Sequence, residues 1–155
     1  GDGNNVCHSL MLAAARGGTR MAVATPAGYE PNPDMVRAAR EDGATTGFSL
    51  TLTTSAEEAV AGADAVYTDV WASMGQEAEK EKRARAFAPY QVNAKLMGHA
   101  KKDTLFMHCL PAHRGDEVTD EVIDSANSVV YDQAENRLHA QKAILIALMG
   151  KKGRP

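Results

Sequence analysis

The chain has 155 residues, 44% of them apolar, which is enough for a single domain with one sizeable core. The 20 acidic and 17 basic residues are mixed along the sequence, give a formal net charge of -3 and form no basic block, which argues against a nucleic-acid partner. The longest apolar run, residues 143–149, falls short of the roughly 20 residues that span a bilayer, so it is interpreted as a buried helix face rather than a membrane segment.

Cysteine usage indicates a reducing compartment. Cys7 and Cys109 are the only two cysteines, and neither belongs to a CxxC motif or to a closely spaced Cys/His set. The sequence therefore predicts no disulfide framework, no metal site and a cytoplasmic protein. No signal peptide is visible at the start, and because the chain opens on Gly-Asp-Gly rather than methionine, we expect its natural beginning to lie upstream.

Short apolar segments alternate with helix-like segments along the chain, a pattern typical of βα units. We predict an α/β fold with an open, mainly parallel sheet and helices on both faces, as in Rossmann-like domains. The strand candidates are residues 21–24, 48–52, 65–68, 104–107 and 128–131. Residues 1–5 are typical of the turn after a first strand, so we expect the sheet to lack one strand that preceding sequence supplies. The domain is predicted to cover residues 1–150, followed by a polar tail at 151–155.

Two helices in the first half have clear end signals, each with a capping side chain at the start and a glycine at the stop. These pairs are Asn32 with Gly43, and Ser55 with Gly62. Pro33 suits the first helical position, and Glu58 completes the pattern of a capping box with Ser55.

A final helix is predicted to begin at Asp132, which forms the same capping pattern with Glu135. Its apolar residues Leu138, Leu145 and Leu148 lie roughly along one face. The charged segment 76–85 is interpreted as a solvated helix with ion pairs along its surface.

Ligands of open parallel sheets bind beyond the carboxyl ends of the strands, so the residues that follow each strand form the candidate site. One of the two asparagines in residues 1–5 is expected to cap a helix, which leaves its neighbour free to face a ligand. Asp69 ends a strand before a loop, 70–75, that can close over a ligand while the carboxylate meets an amine. Taken alone, Asp69 is as often a turn cap as a ligand.

Cys109 and Arg137 are the other candidates for chemistry. Near a cation or a helix end, the Cys109 thiol would titrate low enough to handle protons, whereas alone it would be a small core residue. Arg137 is predicted in the first turn of the final helix, where the helix dipole disfavours a cation. We therefore expect an anion beside it, either a ligand phosphate or Glu135.

Five segments stand out together when the sequence is taken as a whole. They are Gly-Asp-Gly-Asn-Asn at 1–5 with His-Ser at 8–9, Ala-Thr-Pro at 24–26 with Gly-Tyr at 28–29, Asp-Val-Trp-Ala-Ser-Met-Gly-Gln-Glu at 69–77, His-Cys-Leu-Pro at 108–111, and Ala-Glu-Asn-Arg at 134–137. In this order they resemble the ornithine carbamoyltransferases over nearly the whole chain, and the Ser-Met-Gly loop and the His-Cys-Leu-Pro stretch are the most specific parts.

The resemblance implies a reaction in which the δ-amine of L-ornithine attacks the carbonyl of carbamoyl phosphate, giving L-citrulline and phosphate with no metal or cofactor. The residues implied to hold ornithine are Asn5, Asp69, Ser73 and Met74. Asp69 is placed for the α-amine, and Cys109 near the δ-amine, where the two promote loss of its proton. Leu110 is implied to offer its carbonyl to the carbamoyl amine, and Arg137 to contact carbamoyl phosphate.

The resemblance also implies a missing half. The family's main phosphate-binding elements, a Ser-x-Arg-Thr helix start and a His-Pro-x-Gln stretch, belong to an N-terminal carbamoyl-phosphate domain, and neither occurs in this sequence. We therefore expect little activity from this chain alone. The intact protein is expected to be a homotrimer assembled through that other domain.

Three alternatives remain beside this interpretation. A sister transcarbamoylase would act on aspartate, putrescine or an acylated ornithine, but Asp69 would repel a second substrate carboxylate. A non-catalytic amino-acid-binding module would keep the fold without the chemistry. A nicotinamide-dependent dehydrogenase is disfavoured because Val6 and Thr25 stand where its fingerprint has a glycine and an acidic residue.

Overall fold

In a computed structural model, which describes residues 1–72 and 77–150, four short strands alternate with helices. The strands are β1 (Arg20–Ala24), β2 (Ser49–Thr53), β3 (Ala65–Thr68) and β4 (Leu105–His108). β1 pairs with β2 and β3 pairs with β4, both in parallel. The predicted α/β class with parallel strands is therefore confirmed, and the first four predicted strands agree with the observed ones to within a residue.

Helices connect the strands and follow the last one. They are α1 (Asn5–Gly17), α2 (Pro33–Asp42), α3 (Ala56–Val60), α4 (Lys80–Phe87), α5 (Ala94–Met97), α6 (Asp120–Ile123) and α7 (Val130–Met149), with short 3-10 turns at Glu77–Glu79 and Ala88–Tyr90. Within the described ranges, no helix has both the length and the apolar character needed to cross a membrane.

The helix starts in the first half follow the sequence signals. The Asn4 side chain accepts hydrogen bonds from the backbone N–H groups of Val6 and Cys7 and so caps α1. Asn32 and Ser55 cap α2 and α3 in the same way, each through its side-chain oxygen. Such caps occupy backbone donors that have no partner within the helix, and each stabilises the protein by about 1 kcal/mol.

Two apolar clusters support the strand pairs. One lies around β3 and β4 and is centred on Phe106 and Val118, both fully buried. The other lies between α1, α2 and the β1–β2 pair and includes Met11 and Ala39, also fully buried. Burial of a large apolar side chain stabilises a fold by about 1.5–3 kcal/mol, so these clusters fix the strand ends that carry the site.

A cleft of about 550 Å³ separates the two strand pairs. Its walls include Ala22 and Ala24 of β1, Ala65 and Tyr67 of β3, and Gly1. Within the described residues, β1 and β3 do not pair with each other, so each has one edge without a strand neighbour along this cleft. The gap between the two strand pairs is compatible with the prediction that the sheet lacks one strand.

The predicted fifth strand, at residues 128–131, is wrong. Ser128 makes only an isolated bridge to Phe106, and α7 begins at Val130. The Val-Val-Tyr run has strand propensity, but burial of Val130 and packing of α7 on β4 override it. Asp132 consequently lies inside the first turn, and the N-cap position belongs to Val129, which makes no side-chain cap bond.

The apolar end of α7 is exposed, so the prediction of a buried face at residues 143–149 is also wrong. Leu138 is 58% exposed, Ile146 69% and Leu148 79%. Packing, rather than hydropathy, decides burial, and no described residue covers this part of the helix.

The charged segment predicted as a solvated helix, residues 76–85, contains a buried cation. The first residue of this segment, Gln76, lies outside the described residues. Arg83 is only 6% exposed and forms an ion pair with Asp2 and a second one with Glu79. Its guanidinium also donates to the Trp71 carbonyl and lies 5.1 Å from the centre of the Tyr29 ring. A guanidinium has donors for all these partners, which is why it is buried where a solvated charge was expected.

Candidate functional site

The pairing of β3 with β4 brings two of the predicted site residues together. Thr68 and His108 are partners at the ends of these strands, so the next residues, Asp69 and Cys109, leave the sheet side by side. The Cys109 Sγ atom donates a hydrogen bond to Asp69 Oδ1 at 3.0 Å. Asp69 and Cys109, which were both selected because they follow parallel strands, are therefore in contact.

Among the described residues, the Asp69 carboxylate has three hydrogen-bond partners. Besides Cys109, the Val70 N–H donates to Oδ1 at 2.7 Å and the Asn4 Nδ2 donates to Oδ2 at 3.3 Å. The contact with Val70 is a local turn bond, whereas the contacts with Asn4 and Cys109 join three separate chain segments. Asp69 thus acts as a turn cap and also as the centre of the site.

The Cys109 thiol is held in its protonated form. Burial and the hydrogen bond to Asp69, reinforced by the charge of that carboxylate, raise the pKa of Cys109 to about 11. The low pKa that a neighbouring cation would cause does not arise, because the neighbour of the thiol is the Asp69 carboxylate. At neutral pH the thiol donates a hydrogen bond to Asp69, and its sulfur is of the kind that can also accept one.

The sequence analysis did not select Gln133 or Tyr67, which lie near this pair. The Gln133 side chain donates a hydrogen bond to the Tyr67 hydroxyl at 3.2 Å and accepts one from the His108 backbone N–H at 3.1 Å. It therefore connects α7 to both β3 and β4. Burial, and then the proximity of Cys109, raise the pKa of Tyr67. The available signal was the position of Gln133 at the start of the predicted final helix, directly after a predicted strand.

Leu110 adopts a left-handed backbone conformation, with φ of 56°, directly after Cys109, and its peptide bond to Pro111 is cis. A non-glycine residue in this region costs about 1–3 kcal/mol, a strain found mostly at functional sites. The Leu110 N–H donates to His108 Nδ1 at 2.8 Å. Because Nδ1 accepts this bond, we assign the ring proton to Nε2, which lies 3.3 Å from Glu117 Oε1.

Glu117, which the sequence analysis did not select, is fully buried together with His108. Burial alone would raise the pKa of Glu117, but bonds from His108 and from the backbone N–H groups of His113 and Glu117 outweigh it, so the pKa lies below its usual range. The buried carboxylate therefore remains ionised, with its Oε1 atom 3.3 Å from Nε2 of the His108 ring.

Two further predicted site residues, Asn5 and Arg137, are exposed. Asn5 is the exposed first residue of α1, while its neighbour Asn4 provides the cap, as the sequence reasoning expected of the pair. Arg137 is exposed, about one turn beyond Gln133 on the same side of α7. It is therefore not in the first turn, and the helix-dipole argument for an anion beside it does not hold. Ser73 and Met74 lie outside the described residues.

Comparison with known proteins places the chain in a class. The family described as "Aspartate/ornithine carbamoyltransferase, Asp/Orn binding domain" matches residues 1–148. An ornithine carbamoyltransferase from Thermococcus kodakarensis is 61% identical over 97% of the chain, and one from Archaeoglobus fulgidus is 58% identical over 98%. The chain spans about half the length of these relatives, 48% in each case.

Solved structures agree with the sequence matches. The structure titled ornithine carbamoyltransferase from Pyrococcus furiosus superposes with a TM-score of 0.93 at 59% identity, covering 98% of this chain and 49% of that one. An acetylornithine transcarbamylase complexed with acetylcitrulline superposes less closely, with a TM-score of 0.82 at 34% identity, covering 94% of this chain and 44% of that one. Fold and site thus define an amino-acid-binding domain of a carbamoyltransferase. The chain belongs to the aspartate/ornithine carbamoyltransferase family, as its Asp/Orn-binding domain.

Proposed function

We propose that the chain provides the ornithine-binding half of an ornithine carbamoyltransferase. In this reaction the δ-nitrogen of L-ornithine forms a bond to the carbamoyl carbon while the bond from that carbon to the phosphate oxygen breaks. L-citrulline and phosphate are the products. The observation that carries the proposal is the Asp69–Cys109 pair at adjacent strand ends, in a chain about 60% identical to relatives named ornithine carbamoyltransferase.

Proton removal is the chemical task that this pair fits. An ammonium group is not nucleophilic, so the δ-amine must lose a proton before it attacks. The Cys109 proton is directed at Asp69, and the sulfur can accept a hydrogen bond from the δ-ammonium. Proton transfer from the amine to Sγ, with the thiol proton moving to Asp69, would leave a neutral amine and keep the sulfur uncharged.

The other roles follow from the family resemblance. Asp69 and Asn5 are proposed to bind the α-amino and α-carboxyl end of ornithine together with Ser73 and Met74. The Leu110 carbonyl is proposed to accept the amide N–H of the carbamoyl group. Arg137 is proposed to contact the phosphate of carbamoyl phosphate, with the charge-assisted geometry that a guanidinium provides. We propose no metal or cofactor for this reaction.

Plain ornithine fits this site better than the substrates of sister enzymes. Asp69 attracts an α-ammonium group, which an acylated ornithine lacks. The same carboxylate opposes the second carboxylate of aspartate. Putrescine would leave Asp69 with one ammonium partner but would use none of the groups proposed for the α-carboxylate.

The rest of the active site is proposed to come from an N-terminal carbamoyl-phosphate domain. The chain spans about half the length of its curated relatives, and two of its surfaces suit additional protein. The exposed apolar end of α7 is one of them, because apolar patches of this kind mark sites of contact. The cleft between the unpaired edges of β1 and β3 is the other, and a further strand would give both edges a partner.

We propose that the intact protein is a cytoplasmic homotrimer that assembles through this other domain. Both cysteines are free thiols, which suits a reducing compartment. The chain by itself is not expected to form a trimer.

The test is citrulline formation from ornithine and carbamoyl phosphate, first by this chain and then after addition of a separately produced N-terminal domain. We expect product only in the second case. Asp69→Asn and Cys109→Ser are expected to abolish or strongly reduce it, while the matched changes Asp103→Asn and Cys7→Ser leave it largely intact. Absence of product in both cases, with a chain shown to be folded and to bind ornithine, would instead support a non-catalytic amino-acid-binding module.

A further inference from the structure

We propose that the loop between β4 and α6 holds a divalent transition-metal ion on His113, Asp116 and Glu117. One ligand atom from each of these residues lies within 4.8 Å of the other two. The group is separate from the Asp69–Cys109 pair and takes no part in the proposed carbamoyl transfer. Its chemistry, one imidazole and two carboxylates, suits first-row divalent ions such as zinc or cobalt.

The buried carboxylate of Glu117 is the observation that points to a ligand. Its side chain is fully buried, and its two oxygens have different surroundings. Oε1 accepts the His113 backbone N–H at 2.5 Å and lies 3.3 Å from His108 Nε2. Oε2 is buried and has no hydrogen-bond partner among the described residues, and it lies 3.7 Å from His113 Nδ1. A buried carboxylate oxygen without a partner is costly, and a bound cation would remove that cost.

The loop backbone is already fixed in the conformation that the site needs. The Asp116 N–H donates to the His113 carbonyl at 3.0 Å, and the Gly115 N–H donates to the Val118 carbonyl at 2.8 Å. The Gln91 side chain donates to the carbonyls of Gly115 and Asp116 at 2.8 and 3.0 Å. Metal binding therefore orders few additional groups, since only the side chains of His113 and Asp116 must adjust.

Charge and distance also permit a cation at this place. Arg114, the nearest basic residue in sequence, is bonded to Asp120 and Asp124, so its charge is already balanced. Zinc binds nitrogen and oxygen ligands at about 2.0–2.2 Å in tetrahedral geometry, which places two ligand atoms about 3.4 Å apart. The ligand atoms now lie within 4.8 Å of one another, so the exposed His113 ring and the Asp116 carboxylate need to close by up to about 1.4 Å around the fixed Glu117. Water can complete the coordination.

Binding is measured with Zn²⁺ by calorimetry on the intact protein and with Co²⁺ by its visible absorption, which reports the ligand geometry. His113→Ala and Asp116→Asn are expected to weaken Zn²⁺ binding at least about tenfold. His139→Ala is the matched control, because His139 also lies beside a carboxylate, 3.3 Å from Glu135, but on the exposed surface of α7. This control should leave binding unchanged. Zn²⁺ should also raise the Tm of the unsubstituted protein and not that of His113→Ala.

A Cys109→Ser variant distinguishes this site from metal capture by the thiol. We expect this variant to bind Zn²⁺ as the unsubstituted protein does. If binding is lost in Cys109→Ser and kept in His113→Ala, the metal binds at the thiol and the proposal is wrong. The proposal would also be wrong if His113→Ala, Asp116→Asn and the unsubstituted protein bound Zn²⁺ equally, or if none of them bound it. In either case Glu117 would be only a buried neighbour of His108. These results are independent of carbamoyl transfer, so the metal site and the proposed function can fail separately.

Discussion

The thiol of Cys109 donates a hydrogen bond to the carboxylate of Asp69, 3.0 Å away across the ends of two neighbouring parallel strands. The same carboxylate is reached by Asn4 from the start of α1. Three segments that are far apart in sequence therefore meet at one anion. The protonation states of this pair can be measured directly.

Cys109 is expected to react with iodoacetamide only at alkaline pH, with a midpoint near its pKa of about 11. Asp69→Asn should lower that midpoint, because it removes both the carboxylate charge and the acceptor of the thiol proton. The measurement is the rate of alkylation against pH in a Cys7→Ser background, since burial also raises the pKa of Cys7 to about 11. A midpoint below that of an ordinary thiol would contradict the assigned bond.

The same raised pKa values predict how stability depends on pH. The pKa values of both thiols in the folded protein lie above the ordinary thiol value of 9.0, so the protonated thiols favour the folded protein. Their contribution is fully present below pH 9 and is lost as the pH rises through about 11. Urea unfolding between pH 8 and pH 11 should show this loss, and a Cys7→Ser, Cys109→Ser double variant should show a weaker dependence.

Removal of the buried ion pair between Arg83 and Asp2 should destabilise the chain strongly. The two side chains are only 8% and 11% exposed, so Arg83→Met would leave a buried carboxylate unpaired and cost about 3–5 kcal/mol. The matched control is Arg85→Met, because Arg85 and its partner Glu81 are 82% and 91% exposed. Its cost should stay below about 1 kcal/mol. Urea unfolding of both variants measures the loss in free energy of unfolding. Equal losses would contradict the prediction that the buried ion pair matters more than the exposed one.

Gly18 and Gly62 have nearly the same left-handed φ, 67° and 66°, but different surroundings. A Cβ atom on Gly18 would lie 2.3 Å from the Thr46 carbonyl oxygen, whereas a Cβ on Gly62 would meet nothing within 4 Å. Gly62→Ala should therefore cost only the backbone strain, about 1–2 kcal/mol. Gly18→Ala should cost clearly more, because the carbonyl must move as well. The unfolding midpoints of the two variants measure this difference. Equal midpoints would contradict the prediction that Gly18→Ala is the more destabilising change.

The exposed end of α7 should affect association rather than the stability of the chain itself. Changing Leu138, Leu145 and Leu148 to Gln should leave the free energy of unfolding nearly unchanged, because these side chains are already 55–79% exposed. It should weaken binding to the proposed carbamoyl-phosphate domain, measured by calorimetry. Val130→Ala on the same helix is the control, since Val130 is 2% exposed and its truncation should destabilise the chain. Unchanged binding by the triple variant would remove α7 from the proposed interface.

The sequence by itself determined the local structure and the identity of the central pair. Four of the five strands and the caps at Asn32 and Ser55 follow from short-range chemistry, because apolar runs and side-chain oxygens act within a few residues. Asp69 and Cys109 were found because each ends a strand, and parallel strands end at the same edge of a sheet. The family resemblance supplied Leu110, which no local pattern selects for a ligand, and it gave Asn5 and Arg137 their proposed roles.

The tertiary structure alone decided burial, protonation and long-range partners. The buried state of Arg83 depends on Asp2, which is 81 residues away, and the high pKa of Cys109 depends on an anion from another strand. The run at residues 128–131 became the start of α7 because Val130 and Gln133 pack against β4, and the apolar end of that helix remained exposed. Each of these outcomes depends on which groups approach in space, and charge and hydropathy patterns along the chain contain no distances between segments.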